Sequence, residues 1–245
     1  MIRNCSIIKA ARPAHFARRT AHRVSAVAAR TLCLAIAGLA ALSTVAGPIA
    51  ADPVARDPAS DCFSEDTSRR ISGCSALIDG GTSLTPSEKS MAHALRALAY
   101  SLQGKYAEAL ADYDIAIDIR PDFDVALNNR AWSLFKTGRN GEAMADVERA
   151  LKIAPWSPHA LDTRAHLHHA EGRLQKALSD YLLAMRFGGE RIIKLYQCGL
   201  EANGLFKGPI DGLESEPLRL ALATCVRDRD CDPLPPDEEC RRPTS

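Results

Sequence analysis

The chain has 245 residues, eight cysteines, and 31 Lys+Arg against 30 Asp+Glu, a length that holds one elongated domain or two small ones. The near-zero net charge hides an uneven distribution: residues 1–51 carry Arg3, Lys9, Arg12, Arg18, Arg19, Arg23 and Arg30 and no acid. The remaining 24 basic residues (31 less seven) face all 30 acids, a net charge of −6 that excludes nucleic acid as a partner, because phosphate neutralisation needs clustered Lys and Arg.

Behind the basic stretch comes the apolar run TLCLAIAGLAALSTVAGPIAA. A basic n-region, an apolar h-region and a small-residue exit read as an export signal over 1–51, with cleavage near Ala46 or Ala51. The length of the basic stretch leaves an uncleaved anchor in the inner membrane as the alternative, and its arginines leave a mitochondrial presequence as a third option. Cys33 stands at the start of the apolar run, the wrong place for a lipoprotein cysteine. The bacterial periplasm is the expected location, with no membrane contact beyond that anchor.

Six cysteines follow the signal: Cys62, Cys74, Cys198, Cys225, Cys231 and Cys240. An even number in an exported chain predicts disulfides, and no pair has the C-x-x-C spacing of a zinc ribbon or a redox motif. Cys62–Cys74 is the preferred local pair. Cys74 falls in an amphipathic helix over 66–79, with Ile71, Leu77 and Ile78 on the same side. Two cysteines twelve apart in one helix are too distant to bond, so this pairing requires a reversal near residues 63–66. The helix reads as half of a hairpin, a cap for whatever follows within a segment running over 52–85. Next, Thr85-Pro86-Ser87-Glu88 supplies an N-cap, a proline at N1 and a glutamate at N3, a strong helix start.

From there the chain repeats itself every 34 residues, over 90–123, 124–157 and 158–189. Seven columns are identical in all three copies: Ala92/Ala126/Ala160, Arg96/Arg130/Arg164, Ala97/Ala131/Ala165, Gly104/Gly138/Gly172, Ala109/Ala143/Ala177, Asp112/Asp146/Asp180 and Ala116/Ala150/Ala184. A fixed period of this length marks a stacked architecture. Each copy reads as two helices joined at a glycine that takes positive φ. Pro121 and Pro155 stop the second helix of the first two copies, and Gly188-Gly189 takes that place in the third. Alanines allow close helix approach, while Tyr113, Val147 and Tyr181 fill the space between copies. The Arg96/Asp112 columns are spaced to pair between the two helices as structural ion pairs.

These residues resemble the tetratricopeptide repeat, a 34-residue helix–turn–helix. The resemblance implies an all-α, right-handed solenoid of three repeats over 86–189, with an N-terminal capping helix. It also implies that a partner lies along the first helices, which line the concave face. In the second repeat that face would present Val125, Asn128, Asn129, Trp132, Phe135 and Lys136. Trp132 and Phe135 either anchor an extended peptide, with the asparagines holding its backbone, or pack against the next repeat. The family's carboxylate clamp is mostly absent: Asn129 is in register with one clamp asparagine, but Ala94, His159 and Thr163 replace the expected basic residues.

In the third repeat His159, Asp162, His166 and His169 fall at i, i+3, i+7 and i+10, one stripe of a helix. Consecutive pairs of that stripe could hold a metal ion, or change charge near pH 6; the alternative is solvated histidines on a polar face.

After residue 189 the repeat ends. Helices are expected over 191–203 and 216–227, within a small helical module over 190–230. Gln197, Leu200, Gly204-Leu205-Phe206, Gly208-Pro209-Ile210-Asp211-Gly212 and Ala221-Leu222 resemble the peptidoglycan-binding-like domain. That resemblance implies a wall-facing role for Gln197, Phe206 and Asp211. Where the family has a later aromatic this chain has Cys225, so a Cys198–Cys225 disulfide would replace aromatic packing. The tail over 231–245 is proline-rich and expected to be extended.

No constellation argues for catalysis, and no cofactor is called for. The reading is a non-catalytic periplasmic scaffold that binds a protein or peptide segment. The alternatives are a peptidoglycan-binding protein with the repeats as spacer, and a metal-binding protein using the histidine stripe.

Overall fold

A computed structural model describes residues 57–80 and 83–234. The expected export signal or anchor, and Cys240, lie outside the described residues. Among the described residues there are nine helices and no strand: α1 (Pro58–Cys62), α2 (Thr67–Asp79), α3 (Pro86–Leu102), α4 (Tyr106–Ile119), α5 (Asp124–Lys136), α6 (Asn140–Ile153), α7 (Pro158–Ala170), α8 (Leu174–Ala202) and α9 (Glu216–Cys225).

The helices begin where local chemistry can satisfy their first N–H groups. Asp66 caps α2 by accepting from Arg69 N at 2.8 Å. Thr85 and Glu88 form a reciprocal capping box at α3, with Pro86 at N1. Ser157 and Ser215 cap α7 and α9 by accepting from Ala160 N and Leu218 N, each with a proline in the first turn. Helices α4, α6 and α8 have no side-chain cap, because each starts directly out of a repeated turn. In that turn Gly104, Gly138 and Gly172 adopt φ of 73°, 77° and 74°. The next residue then bonds back into the preceding helix, Lys105 to Tyr100, Arg139 to Leu134 and Arg173 to His168, at 2.9 Å each. One glycine-dependent turn is thus used three times.

Three antiparallel hairpins result, α3–α4, α5–α6 and α7–α8, joined through α4–α5 and α6–α7 contacts. Consecutive first helices also touch, α3 with α5 and α5 with α7, which places them on one continuous face of the solenoid. The repeated alanines are at most 3 % exposed and let backbones approach, while Tyr113, Val147 and Tyr181 are fully buried between hairpins. Across each hairpin the repeated arginine and aspartate pair: Arg96–Asp112, Arg130–Asp146 and Arg164–Asp180 at 2.7, 2.6 and 2.7 Å. Nε and one terminal nitrogen of each guanidinium take one carboxylate oxygen each, the fork geometry that arginine offers and lysine does not.

At the N-terminal end α1 and α2 cover α3. The chain reverses after Phe63, and the Cys62–Cys74 disulfide spans a Cα–Cα distance of 4.5 Å. Gly73 permits this closeness: a Cβ there would lie 2.4 Å from the Cys62 backbone nitrogen.

At the other end, the two helices expected on either side of residue 189 form one run, α8, interrupted at Gly189 with φ 59° and ψ −156°. Only glycine occupies that region without strain. The second part of α8 packs on α9 through Leu200, Leu218 and Leu222, all fully buried. The expected Cys198–Cys225 bond is corrected. Cys225 ends α9, the chain turns at once, and Cys231 returns to bond with it at a Cα–Cα distance of 5.3 Å. Cys198 is disulfide-bonded as well, hence not to Cys225. Residues 231–234, expected to begin an extended tail, instead fold back: Cys231 and Pro233 are buried and Leu234 packs against the core. Among the described residues no helix is long and apolar enough to cross a membrane.

Candidate functional site: the first-helix face of the second and third repeats

The expected partner-binding residues lie on α5, and the histidine stripe lies one repeat later on α7. Trp132 and His166 occupy equivalent positions 34 residues apart and meet edge to face, with ring centroids 5.3 Å apart. Phe135 stands 5.5 Å from Trp132 and 6.3 Å from His166, and Lys136 reaches to 5.7 Å from the Trp132 ring. The two rows therefore form one surface.

Exposure along that surface is graded. Asn128, Asn129 and Trp132 are 2 %, 4 % and 7 % exposed, Phe135 is half-buried and Lys136 is open to solvent. Of the two roles open to Trp132, packing against the next repeat is the one its contacts occupy here. Its indole Nε1 has no hydrogen-bond partner among the described residues; neither do Asn128 Oδ1 and Thr163 Oγ1. Asn128 donates only a long 3.4 Å bond to Asn129. Three orphaned polar atoms on one face are costly, because an unmade buried hydrogen bond forfeits about 1–3 kcal/mol.

The α7 stripe does not converge on a common point. His159 is half-buried near Arg191, and its pKa is lowered to about 4, first by burial and then by that arginine. His169 Nε2 lies 3.1 Å from the Val226 carbonyl oxygen, to which it donates. Asp162 accepts from the Tyr196 hydroxyl of α8. His166 lies between two carboxylates, 3.5 Å from Asp162 and, through Nε2, 3.2 Å from Asp232. Tyr181 closes its other side at 5.2 Å. Burial disfavours the imidazolium, yet the two carboxylates outweigh it and raise the His166 pKa to about 9. Full burial pushes the Asp162 carboxyl upward, against His166 and the Tyr196 hydroxyl. The ion pair governs this cluster, because His166 faces two carboxylates at once and one of them, Asp232, is 61 % exposed to water.

The metal reading is corrected accordingly. Its four residues are divided among Arg191, Tyr196, Asp232 and Val226, and among the described residues no group of three or more His, Cys, Asp or Glu is placed to hold an ion. Nor are they solvated histidines on an open face.

The residues expected to face cell wall build the loop instead. Gln197 is buried; its Nε2 donates to Asp211 Oδ1 and the Leu213 carbonyl, and its Oε1 accepts from Gly212 N. Asp211 also accepts from Leu213 N at 2.8 Å, and Phe206 is buried against Gly208. Gln197 and Phe206 thus leave no surface for a sugar.

Reading the residues missed Tyr196 and Asp232, and named Thr163 only as a replaced clamp residue. Thr163 shares its column with Leu95 and Asn129, and its orphaned hydroxyl shows only in the structure. Asp232 lies 66 residues beyond His166, and nothing in the local pattern signals that the tail returns. Two tetratricopeptide-repeat family models match the chain, over residues 90–123 and 125–155. No curated protein matches it.

Proposed function

We propose that this is a non-catalytic interaction scaffold of the bacterial periplasm that takes an extended segment of a partner protein along the α5–α7 face. Repeats of this kind present helices for protein binding, and that general role is the one the matched models support. The observation that carries the reading is the set of orphaned polar atoms on that face, Asn128 Oδ1, Trp132 Nε1 and Thr163 Oγ1. An extended peptide brings an N–H and a C=O at every residue, so a modest shift of the covering side chains would let its backbone satisfy all three. Phe135 and Lys136 stand at the accessible edge, one offering apolar surface and the other a positive charge. An oxidising compartment is supported by the Cys62–Cys74 and Cys225–Cys231 bonds. The cell-wall alternative has no comparable support, since Gln197 and Phe206 are spent inside the C-terminal loop.

A photo-crosslinking residue at position 136 tests the reading against one at Ile115, which is 41 % exposed on α4. Crosslinks to a discrete protein from position 136 and not from 115 are expected. Equal labelling from both positions would remove the assignment of the face.

A further inference from the structure

The stretch Val226–Leu234 has no helix beyond the cap of α9, yet it is held on α7 and on the end of α8 by side-chain contacts. The Val226 carbonyl accepts from His169, and the Asp232 carboxylate meets His166 at 3.2 Å. The Asp232 carbonyl accepts from Asn203 Nδ2 at 2.9 Å, and the Leu234 N–H turns back onto the Asp232 carboxylate. Pro233 is buried and Leu234 is half-buried. The chain therefore lays Asp232 against His166, the residue that Trp132 and Phe135 also meet, with a buried proline and a core-packed leucine directly after it.

We propose that Asp232-Pro233-Leu234 is a built-in competitor for the partner, and that the partner binds with a segment of the same chemistry: a carboxylate for His166, followed by proline and an aliphatic side chain. This rests on the reading of the α5–α7 face given above and specifies its ligand. Three features support it. First, charge is complementary, since His166 meets a carboxylate from the strap in addition to Asp162 on its own helix. The rings packed against it from the neighbouring elements are Tyr181 of α8 and Trp132 and Phe135 of α5, all uncharged. Second, the strap is built to lift. Asp232 is 61 % exposed, and residues 231–234 form no helix or strand, so no backbone ladder has to break for the carboxylate to leave His166. Third, the lift is bounded. Cys231 is anchored to Cys225 at the end of α9, so residues 232–234 can leave the face while the anchor stays. A face occupied by its own strap binds a competitor more weakly in proportion to the fraction of time that it is free.

The test uses the full mature chain and a labelled peptide with the sequence of residues 228–234, serine replacing its cysteine. Fluorescence anisotropy compares wild type with Asp232→Ala and with the isosteric Asp232→Asn, both at a carboxylate that is 61 % exposed; circular dichroism and melting curves check that each is folded. Both variants are expected to bind the peptide at least tenfold more tightly than wild type. Replacing the peptide aspartate that corresponds to Asp232 by asparagine should abolish that gain. Equal affinity for wild type and both variants, or binding indifferent to the peptide aspartate, overturns the proposal. The outcomes separate the two claims. Crosslinking from position 136 with no peptide effect leaves the binding face and removes the competitor. A peptide effect without crosslinking removes the partner face and leaves the strap as a closure.

Discussion

Single side chains in this molecule divide into those repeated for stability and those that depart from the repeat. Arg130 belongs to the first kind. Its guanidinium holds Asp146, which is 7 % exposed at the side chain, and also reaches Asp114 at 2.7 Å. Removing it strands a nearly buried carboxylate, so Arg130→Ala should lower unfolding free energy by about 2–3 kcal/mol in urea titration. Arg139→Ala, which loses only a solvent-exposed pair with Glu142, should leave the midpoint unchanged. His159 and His166 are departures, and they titrate in opposite senses. The His166 pKa is raised to about 9, so its contribution is complete below its ordinary value of 6.5 and disappears as pH rises through 9. The His159 pKa is lowered to about 4, so its contribution is complete above 6.5 and is lost as pH falls through 4. Thermal unfolding across pH should fall off on both sides of neutrality. His166→Gln should flatten the alkaline limb and His159→Gln the acid limb; unchanged limbs would contradict these environments.

At the scale of elements, glycine decides where helices end and where they are allowed to touch. Gly189 holds φ 59° and ψ −156° in the middle of α8, so the second part of the helix leaves the third repeat in its own direction. Gly189→Ala should cost about 1–3 kcal/mol, read as a lower urea midpoint. Gly141→Ala is the control: nothing lies within 4 Å of a Cβ there and the site is helical, so a gain of about 0.4–1 kcal/mol is expected. Most of this level was legible in the sequence. Thr85-Pro86-Ser87-Glu88 announced α3, the three turn glycines announced the hairpins, and the paired Arg and Asp columns announced the ion pairs across them. What was not legible was of another kind. A one-dimensional pattern carries no record of contacts that local periodicity does not generate. Cys225–Cys231 instead of Cys225–Cys198, and Asp232 against His166, arise because the chain after α9 doubles back. The histidine stripe was correctly placed on one helix face, but its chemistry was set by Arg191, Tyr196, Asp232 and Val226, which arrive from elsewhere in the chain.

For the described molecule as a whole, the solenoid separates support from recognition. The Arg–Asp pairs and the alanine columns repeat through all three hairpins, whereas the polar and aromatic residues on the first-helix face differ in each. Ala94 in the first repeat, Asn128 in the second and Asp162 in the third occupy one column, and each sets a different local chemistry. The proposed binding face is therefore written in the non-repeated positions of α5 and α7, with Asp232 of the C-terminal stretch against His166 at its far end. Trp132 is too deeply packed to serve as a clean probe, since Trp→Ala in a core costs about 3–5 kcal/mol by itself. Lys136, exposed and beside it, can be altered without that penalty.

The most direct measurement is affinity purification of the tagged protein from its own cells, wild type beside Lys136→Glu, with matched melting curves. A discrete protein should be retained by wild type and largely lost from the variant. A protein retained equally by both, or cell-wall fragments retained in place of a protein, would contradict recognition on the α5–α7 face.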